Sequence, residues 1–218
     1  MIDVIAELRR RVEGEIFDYQ ILMDVLQCYG KPRDQVTRLL SKNVIIRIKK
    51  GLYCFGKPYR RKSISEEYVA NLIYGPSYIS LEYALQFYGL IPERVHTVTS
   101  VSLKRSKTFR TPVGNFSYRM LSGNRYATGF TLHSATGYSF LIASPEKALA
   151  DKVWSDKRFP GSAVSDFHIY LEEDLRIDRQ SLSRLSRADM KTICNAFDSR
   201  KIWNLASYLE RIWKDSDA

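Results

Sequence analysis

Between Pro32 and Phe55 the spacing of apolar residues changes period from helical to alternating, and few arrangements satisfy so abrupt a change. Val36, Leu39 and Leu40 fall at i, i+3 and i+4, on one side of a helix that Pro32 is suited to start. Arg33, Gln35, Arg38 and Lys42 are left for its outer face. β-Branched residues then run from Val44 to Ile48, Lys49-Lys50-Gly51 turns the chain, and Leu52, Tyr53 and Phe55 form a returning strand. The stretch from Gly30 to Phe55 holds seven basic side chains against one acid, Asp34.

The residues before it supply more helices. Ile5, Ala6 and Leu8, with Ile2, predict a first helix that ends near Arg9, Arg10 and Arg11. Ile21, Leu22, Val25 and Leu26 predict a second, with Asp18 as its N-cap and Gly30 as its stop. Two short helices followed by a basic hairpin are the parts of a winged helix-turn-helix. There the later helix lies in the major groove and the hairpin tip reaches phosphates. Long forked donors such as Arg suit base edges and phosphates alike. The candidate DNA contacts are therefore Lys31, Arg33, Gln35, Arg38, Lys42, Arg47, Lys49 and Lys50. The competing structural reading is a helical bundle with solvated lysines, and winged helices also serve to bind proteins.

Charge distribution sharpens this choice. The net charge is +10, which favours a polyanionic partner only if it is concentrated. Residues 1–62 hold 14 basic and 7 acidic side chains, and residues 94–145 hold seven basic and none acidic. Residues 63–93 have four Glu and no Lys or Arg, and residues 146–218 hold 13 of each sign. The positive excess sits in two blocks. In the second, Lys104, Arg105, Lys107 and Arg110 read either as a further nucleic-acid or partner contact or as a solvated sheet edge guarded by charge. Cys28, Cys54 and Cys194 are far apart and odd in number, so each is expected to behave as a small buried apolar group in a reducing cytoplasm. No signal-like or membrane-length apolar run occurs, and a cytoplasmic protein with no membrane partner is the expectation.

Beyond residue 62 the pattern is mixed. Residues 63–75 read as a helix with Tyr68, Val69, Leu72 and Ile73 on one side, broken by Pro76. Ser80 is placed to cap a helix whose apolar stripe is Leu81, Ala84, Leu85 and Tyr88, ended by Gly89. From Val95 the period is two, with a turn near Pro112-Val113-Gly114, and "GYSFLIAS" is a further strand. "SPEKALADKVW" starts a helix with Ser144 as cap, Pro145 first and Glu146 at the positive end of the dipole. Ser186 caps another, and Ile202, Leu205, Ala206, Leu209 and Ile212 line a last one before a frayed "KDSDA" tail. The fold expected is α+β: a winged helix-turn-helix over 1–62, then a domain over 63–218 with a mixed or antiparallel sheet and flanking helices.

"RIKKGLYCF", "PSYISLEYALQFYGLIPE", "VTSVSLKRSKTFRTPVGNFSY" and "SPEKALADKVW" occur in this order. The series resembles the AbiE-type antitoxin family of bacterial type IV toxin–antitoxin and abortive-infection (phage defence) systems, over about residues 18–155. The resemblance implies an N-terminal winged helix that binds repeats in its own promoter and represses the operon. It implies a C-terminal α/β domain that supports antitoxin activity. It also implies an opposing nucleotidyltransferase-like toxin, with no stable complex between the two. A lone regulator of this family would look the same.

No enzyme motif stands out, and no cofactor or metal is expected. His96, His133 and His168 lack ligand spacing. Gly161-Ser162 followed by Glu172-x-Asp174 approaches the Gly-Ser…Asp-x-Asp pattern of nucleotidyltransferases, whose carboxylates hold Mg²⁺. Here Glu172 replaces the first Asp, and Phe167, Tyr170, Leu171 and Leu175 give the segment a helical period where that pattern needs a strand. The reading carried forward is a DNA-binding transcriptional autorepressor and antitoxin, not an enzyme. The alternatives are a module that neutralises a partner by direct binding and, last, a nucleotidyltransferase-like enzyme.

Overall fold

Asp3 and Asp18 each begin a helix in the N-terminal part of the chain. In the computed structural model, which describes residues 3–121, 123–135 and 137–217, the Asp3 carboxylate accepts from the backbone N–H groups of Ile5 and Ala6. That of Asp18 accepts from Ile21 N at 2.8 Å, as its position predicts. These caps open α1 (Val4–Arg11) and α2 (Tyr19–Leu26), between which lies β1 (Ile16–Asp18). α3 (Pro32–Ser41), β2 (Ile45–Lys49) and β3 (Leu52–Phe55) follow. The strands form an antiparallel sheet in the order β1-β3-β2. Leu8, Phe17, Leu22, Leu26, Val36, Ile45 and Phe55 are buried together, with Leu39 and Leu40 half-buried against them. α2 stops at Leu26, short of Gly30, and β1 is too brief to register as a period.

The chain divides into two units: residues up to Val69 together with Arg110–Gly114, and Ala70–Phe109 together with the residues from Asn115 onward. The division falls inside α4 (Glu66–Ile73), a little beyond the boundary at residue 62 read from the sequence. The buried residues of α4 include Val69, Ala70 and Ile73, whereas Leu72 is exposed.

The second unit is built on a mixed six-stranded sheet, β6-β7-β5-β4-β9-β8, apart from the ends of β6 and β7 within Arg110–Gly114. Its strands are β4 (Ser77–Ile79), β5 (Thr97–Ser102), β6 (Lys107–Thr111), β7 (Gly114–Met120), β8 (Phe130–Ala135) and β9 (Tyr138–Ala143). β5 runs parallel to β7, β4 runs parallel to β9, and β4/β5 and β8/β9 are antiparallel. Helices α5 (Leu81–Phe87) and α6 (Asn124–Ala127) interrupt the strands, and α7 (Pro145–Ser155) follows the last of them. After them come α8 (Asp166–His168), a π-helical turn (Ile169–Asp174), α9 (Arg179–Ser183), α10 (Arg187–Phe197) and α11 (Arg200–Asp217). The fold is thus mixed α+β.

Two local expectations are corrected. Ser80 precedes α5 but does not cap it; its hydroxyl donates instead to Asp151 Oδ2 at 2.7 Å. The tail expected to fray is helical as far as it is described: α11 runs to Asp217 and Asp215 pairs with Arg179 at 2.6 Å, while Ala218 lies outside the described residues.

Candidate nucleic-acid interface

The hairpin β2–β3 is fixed to the end of α3 by a tight joint. Asn43 lies in the left-handed region at φ 50°, and Val44 N donates to Leu39 O at 2.9 Å. Gly56, just after β3, donates its N–H to Val44 O at 2.8 Å. A Cβ on Gly56 would stand 1.8 Å from the Asn43 carbonyl oxygen, so only glycine permits this approach. At the far end Lys49 pairs with Leu52 across the two-residue loop Lys50-Gly51, and Gly51 takes φ 87° as such a loop requires. Tyr19 N donates to Gly51 O at 3.0 Å, fastening the loop to the start of α2.

On this frame Lys31, Arg33, Arg38, Lys42, Arg47 and Lys50 are exposed. None of the six has a carboxylate partner among the described residues. Lys49 is half-exposed. The contrast with α1 is direct. Arg10 and Arg11 pair with Glu7, and Arg9 pairs with Glu15 at 2.7 Å while lying 3.6 Å from the centroid of the Phe55 ring. The cations of α1 therefore each have an acid, with Arg9 buried in the fold, whereas Arg33, Arg38, Arg47 and Lys50 have none among the described residues. Gln35 is half-buried at the flank of α3, not on its outer face. Asp34 is exposed in the first turn of α3, where its charge suits the helix dipole but opposes an anion.

Lys104, Arg105, Lys107 and Arg110 are all exposed. Lys107 and Arg110 lie on β6, an edge strand, which is where charge blocks unwanted strand pairing. Lys104 reaches over the Tyr74 ring at 5.3 Å and Lys107 over Phe109 at 5.0 Å. These four form a separate cluster from the α3–hairpin set in the sequence, and their strand-edge setting suits either of the roles read for them.

Glu172 and Asp174 sit on the π-helical turn, not on a strand. Glu172 accepts a hydrogen bond from the Tyr208 hydroxyl, and the carbonyls of Gly161 and Ser162 each accept from Asn204 Nδ2 at 3.0 Å. His96 and His168 are exposed, and His133 packs against the Phe87 ring at 5.2 Å. Among the described residues no group of His, Cys, Asp and Glu side chains is arranged to hold a metal ion. Cys54 and Cys194 are buried, but Cys28 is exposed, contrary to its expected burial.

One polar constellation went unnoticed in the sequence. Lys147 and Asp151, at i and i+4 on α7, are fully buried and paired. Lys147 Nζ donates to Tyr78 OH at 2.8 Å, and Asp151 Oδ2 accepts from Ser80 Oγ at 2.7 Å and Tyr78 OH at 3.2 Å. Burial pushes Asp151 up and Lys147 down from their ordinary values, against the mutual attraction of the pair. The signal available was a Lys and an Asp four apart in a helix otherwise rich in Ala, Leu and Val. The cluster is sealed, and it braces α7 against β4.

No protein-family model matches this chain, and no curated protein matches it.

Proposed function

We propose that the chain is a DNA-binding repressor of its own promoter and the antitoxin of a bacterial toxin–antitoxin, abortive-infection system. It opposes a nucleotidyltransferase-like toxin in the cytoplasm without a stable complex. The observation that carries the DNA half is the contrast between paired and unpaired cations: the arginines of α1 are tied to Glu7 and Glu15, while those of α3 and the hairpin have no acid. The order α1-β1-α2-α3-β2-β3 supports reading α3 as the groove helix of a winged helix-turn-helix and β2–β3 as its wing. In that reading Arg33 and Arg38 face base edges, Lys31 and Lys42 the flanking backbone, and Arg47, Lys49 and Lys50 the phosphates beside the wing. The ordered series of motifs from "RIKKGLYCF" to "SPEKALADKVW" supports the antitoxin half.

The test is a reporter driven by the DNA upstream of the protein's own gene, with co-expression of a nucleotidyltransferase-type neighbour where the genome carries one. Repression lost on Arg38→Ala, together with rescue of growth from the toxin, is the expected result. Full repression by a chain lacking Arg38 and Lys50 side chains rejects the DNA site. Failure to rescue growth rejects the antitoxin half.

A further inference from the structure

A cleft of about 750 Å³ opens in the second unit, within the range of small-molecule sites. Its floor is the β5/β7 pair. Thr99 stands opposite Ser117 in the parallel register, and the period of two places Thr97 beside Thr99 and Arg119 beside Ser117 on the same face. The Thr99 hydroxyl is already used: it donates to Ser80 O at 2.6 Å and accepts from Tyr83 N at 3.0 Å, which ties the floor to the start of α5. The hydroxyls of Thr97 and Ser117 have no hydrogen-bond partner among the described residues. The last turn of α7 and the residues after it form the opposite wall.

The charges around this cleft do not balance. Two acids line it, and both are occupied: Glu82 holds Lys152 at 2.8 Å, and Asp156 lies 3.7 Å from Lys152 and 3.7 Å from Arg158. Arg94, Arg119 and Lys157 also line it, from three different segments, and have no carboxylate partner among the described residues. Like charges converging on a concave, hydroxyl-floored space repel one another unless an anion joins them. Low-dielectric walls focus the resulting field. The lining is more polar than apolar and offers no broad apolar wall, so an uncharged ligand gains little there.

We propose that this cleft is a binding site for the oligophosphate group of a small molecule, the class that includes nucleoside diphosphates and triphosphates. Arg119 and Arg94 clamp the phosphates with their planar forks, Lys157 adds a point charge, and the Thr97 and Ser117 hydroxyls donate to phosphate oxygens. This is a ligand site in the second unit, independent of the DNA reading of α3, and it would let a nucleotide or oligophosphate level act on the protein.

Calorimetric titration of the full chain with ATP and, separately, with sodium tripolyphosphate tests it. The expected result is saturable one-to-one binding, weakened at least tenfold in Arg94→Gln plus Arg119→Gln and unchanged in Arg211→Gln, an exposed site on α11. The melting temperature without ligand should not fall in either variant. Binding by both ligands identifies the phosphate chain as the recognised group; binding by ATP alone means the nucleoside is read as well. Absence of saturable binding by either, or binding that the double substitution leaves intact, overturns the proposal. So does a short single-stranded oligonucleotide that binds the cleft where neither small ligand does. A parallel titration with upstream duplex DNA keeps the two sites distinct, since that binding rests on α3 and the hairpin.

Discussion

Gly56 and Asn43 meet backbone to backbone, so closely that a methyl group on Gly56 would lie 1.8 Å from the Asn43 carbonyl oxygen. Neither atom belongs to a flexible side chain, so relief requires the chain itself to move. Gly56→Ala is expected to cost about 3 kcal/mol or more, at the upper end of overpacking changes. Urea unfolding measures this loss. Because the same contact seats the hairpin on the end of α3, DNA affinity should fall further than the lost folded fraction explains.

Glu15 is the electrostatic anchor of the first unit. Its carboxylate pairs with Arg9 and accepts from the backbone N–H groups of Arg61 at 3.0 Å and Lys62 at 3.2 Å. Burial acts to raise its pKa, but the Arg9 hydrogen bond and charge and the two N–H groups outweigh it and hold the carboxyl below its usual range. A depressed folded value means that its contribution is whole above the unfolded value of about 4.3 and is lost as pH falls through the folded one. Denaturant midpoints followed downward from neutral pH should drop below about pH 4.3. Glu15→Gln should start lower and show a shallower acid limb. Glu15→Ala, which strands a buried Arg9, should cost about 3–5 kcal/mol.

The Lys147–Asp151 pair makes an opposite kind of statement. Replacing one partner leaves the other charge buried alone, so Asp151→Ala should cost about 3–5 kcal/mol. Lys147→Met plus Asp151→Leu removes both charges at similar volume and should recover more than half of that loss. A double-mutant cycle on unfolding free energy checks it. A double variant as unstable as the single one would show that Tyr78 and Ser80 need an acidic partner more than α7 needs a neutral interior.

The cysteines separate by exposure. Burial pushes the Cys194 thiol up to about 11 and raises that of Cys54, whereas Cys28 is open to solvent. Thiolate is the reactive form. Mass spectrometry after brief maleimide treatment should show one adduct, at Cys28, on the native protein, and three after unfolding.

The helices were legible where caps and periods coincide: Asp18, Pro32, Ser144 and Ser186 mark starts that the structure keeps. β1, β4 and α6 were not, because three or four residues are too few to show a period. β8 was missed for another reason: the described part of this edge strand carries exposed Thr131 and Leu132 and half-buried His133, so it lacks the clean alternation of a one-sided strand. β3 was found, yet its four residues are buried where alternation predicts two, because it is the central strand and Arg60 covers Cys54 from the other side. Of the candidate site, exposure of the basic residues followed from helix phase. The pairing of Arg10 and Arg11 with Glu7 follows from helical spacing, but that of Arg9 does not, since Glu15 reaches it only through the loop between α1 and β1. Gln35 fell at the edge of the apolar arc, where phase alone decides least.

The most direct test of the DNA-binding role is a fluorescence-anisotropy titration of duplex DNA from the gene's own upstream region, repeated over a range of salt. Binding should weaken steeply as salt rises, because phosphate contacts release counterions. Lys50→Ala should weaken every sequence alike and reduce the salt slope by about 1. Arg38→Ala should cost about 1–3 kcal/mol on the upstream DNA and less on a scrambled duplex. Asp34→Asn should tighten binding to both, since it removes the one acid on the outer face of α3. Binding of the upstream DNA that ignores salt, or that all three substitutions leave unchanged, would contradict the assignment of α3 and its hairpin as the DNA-reading surface.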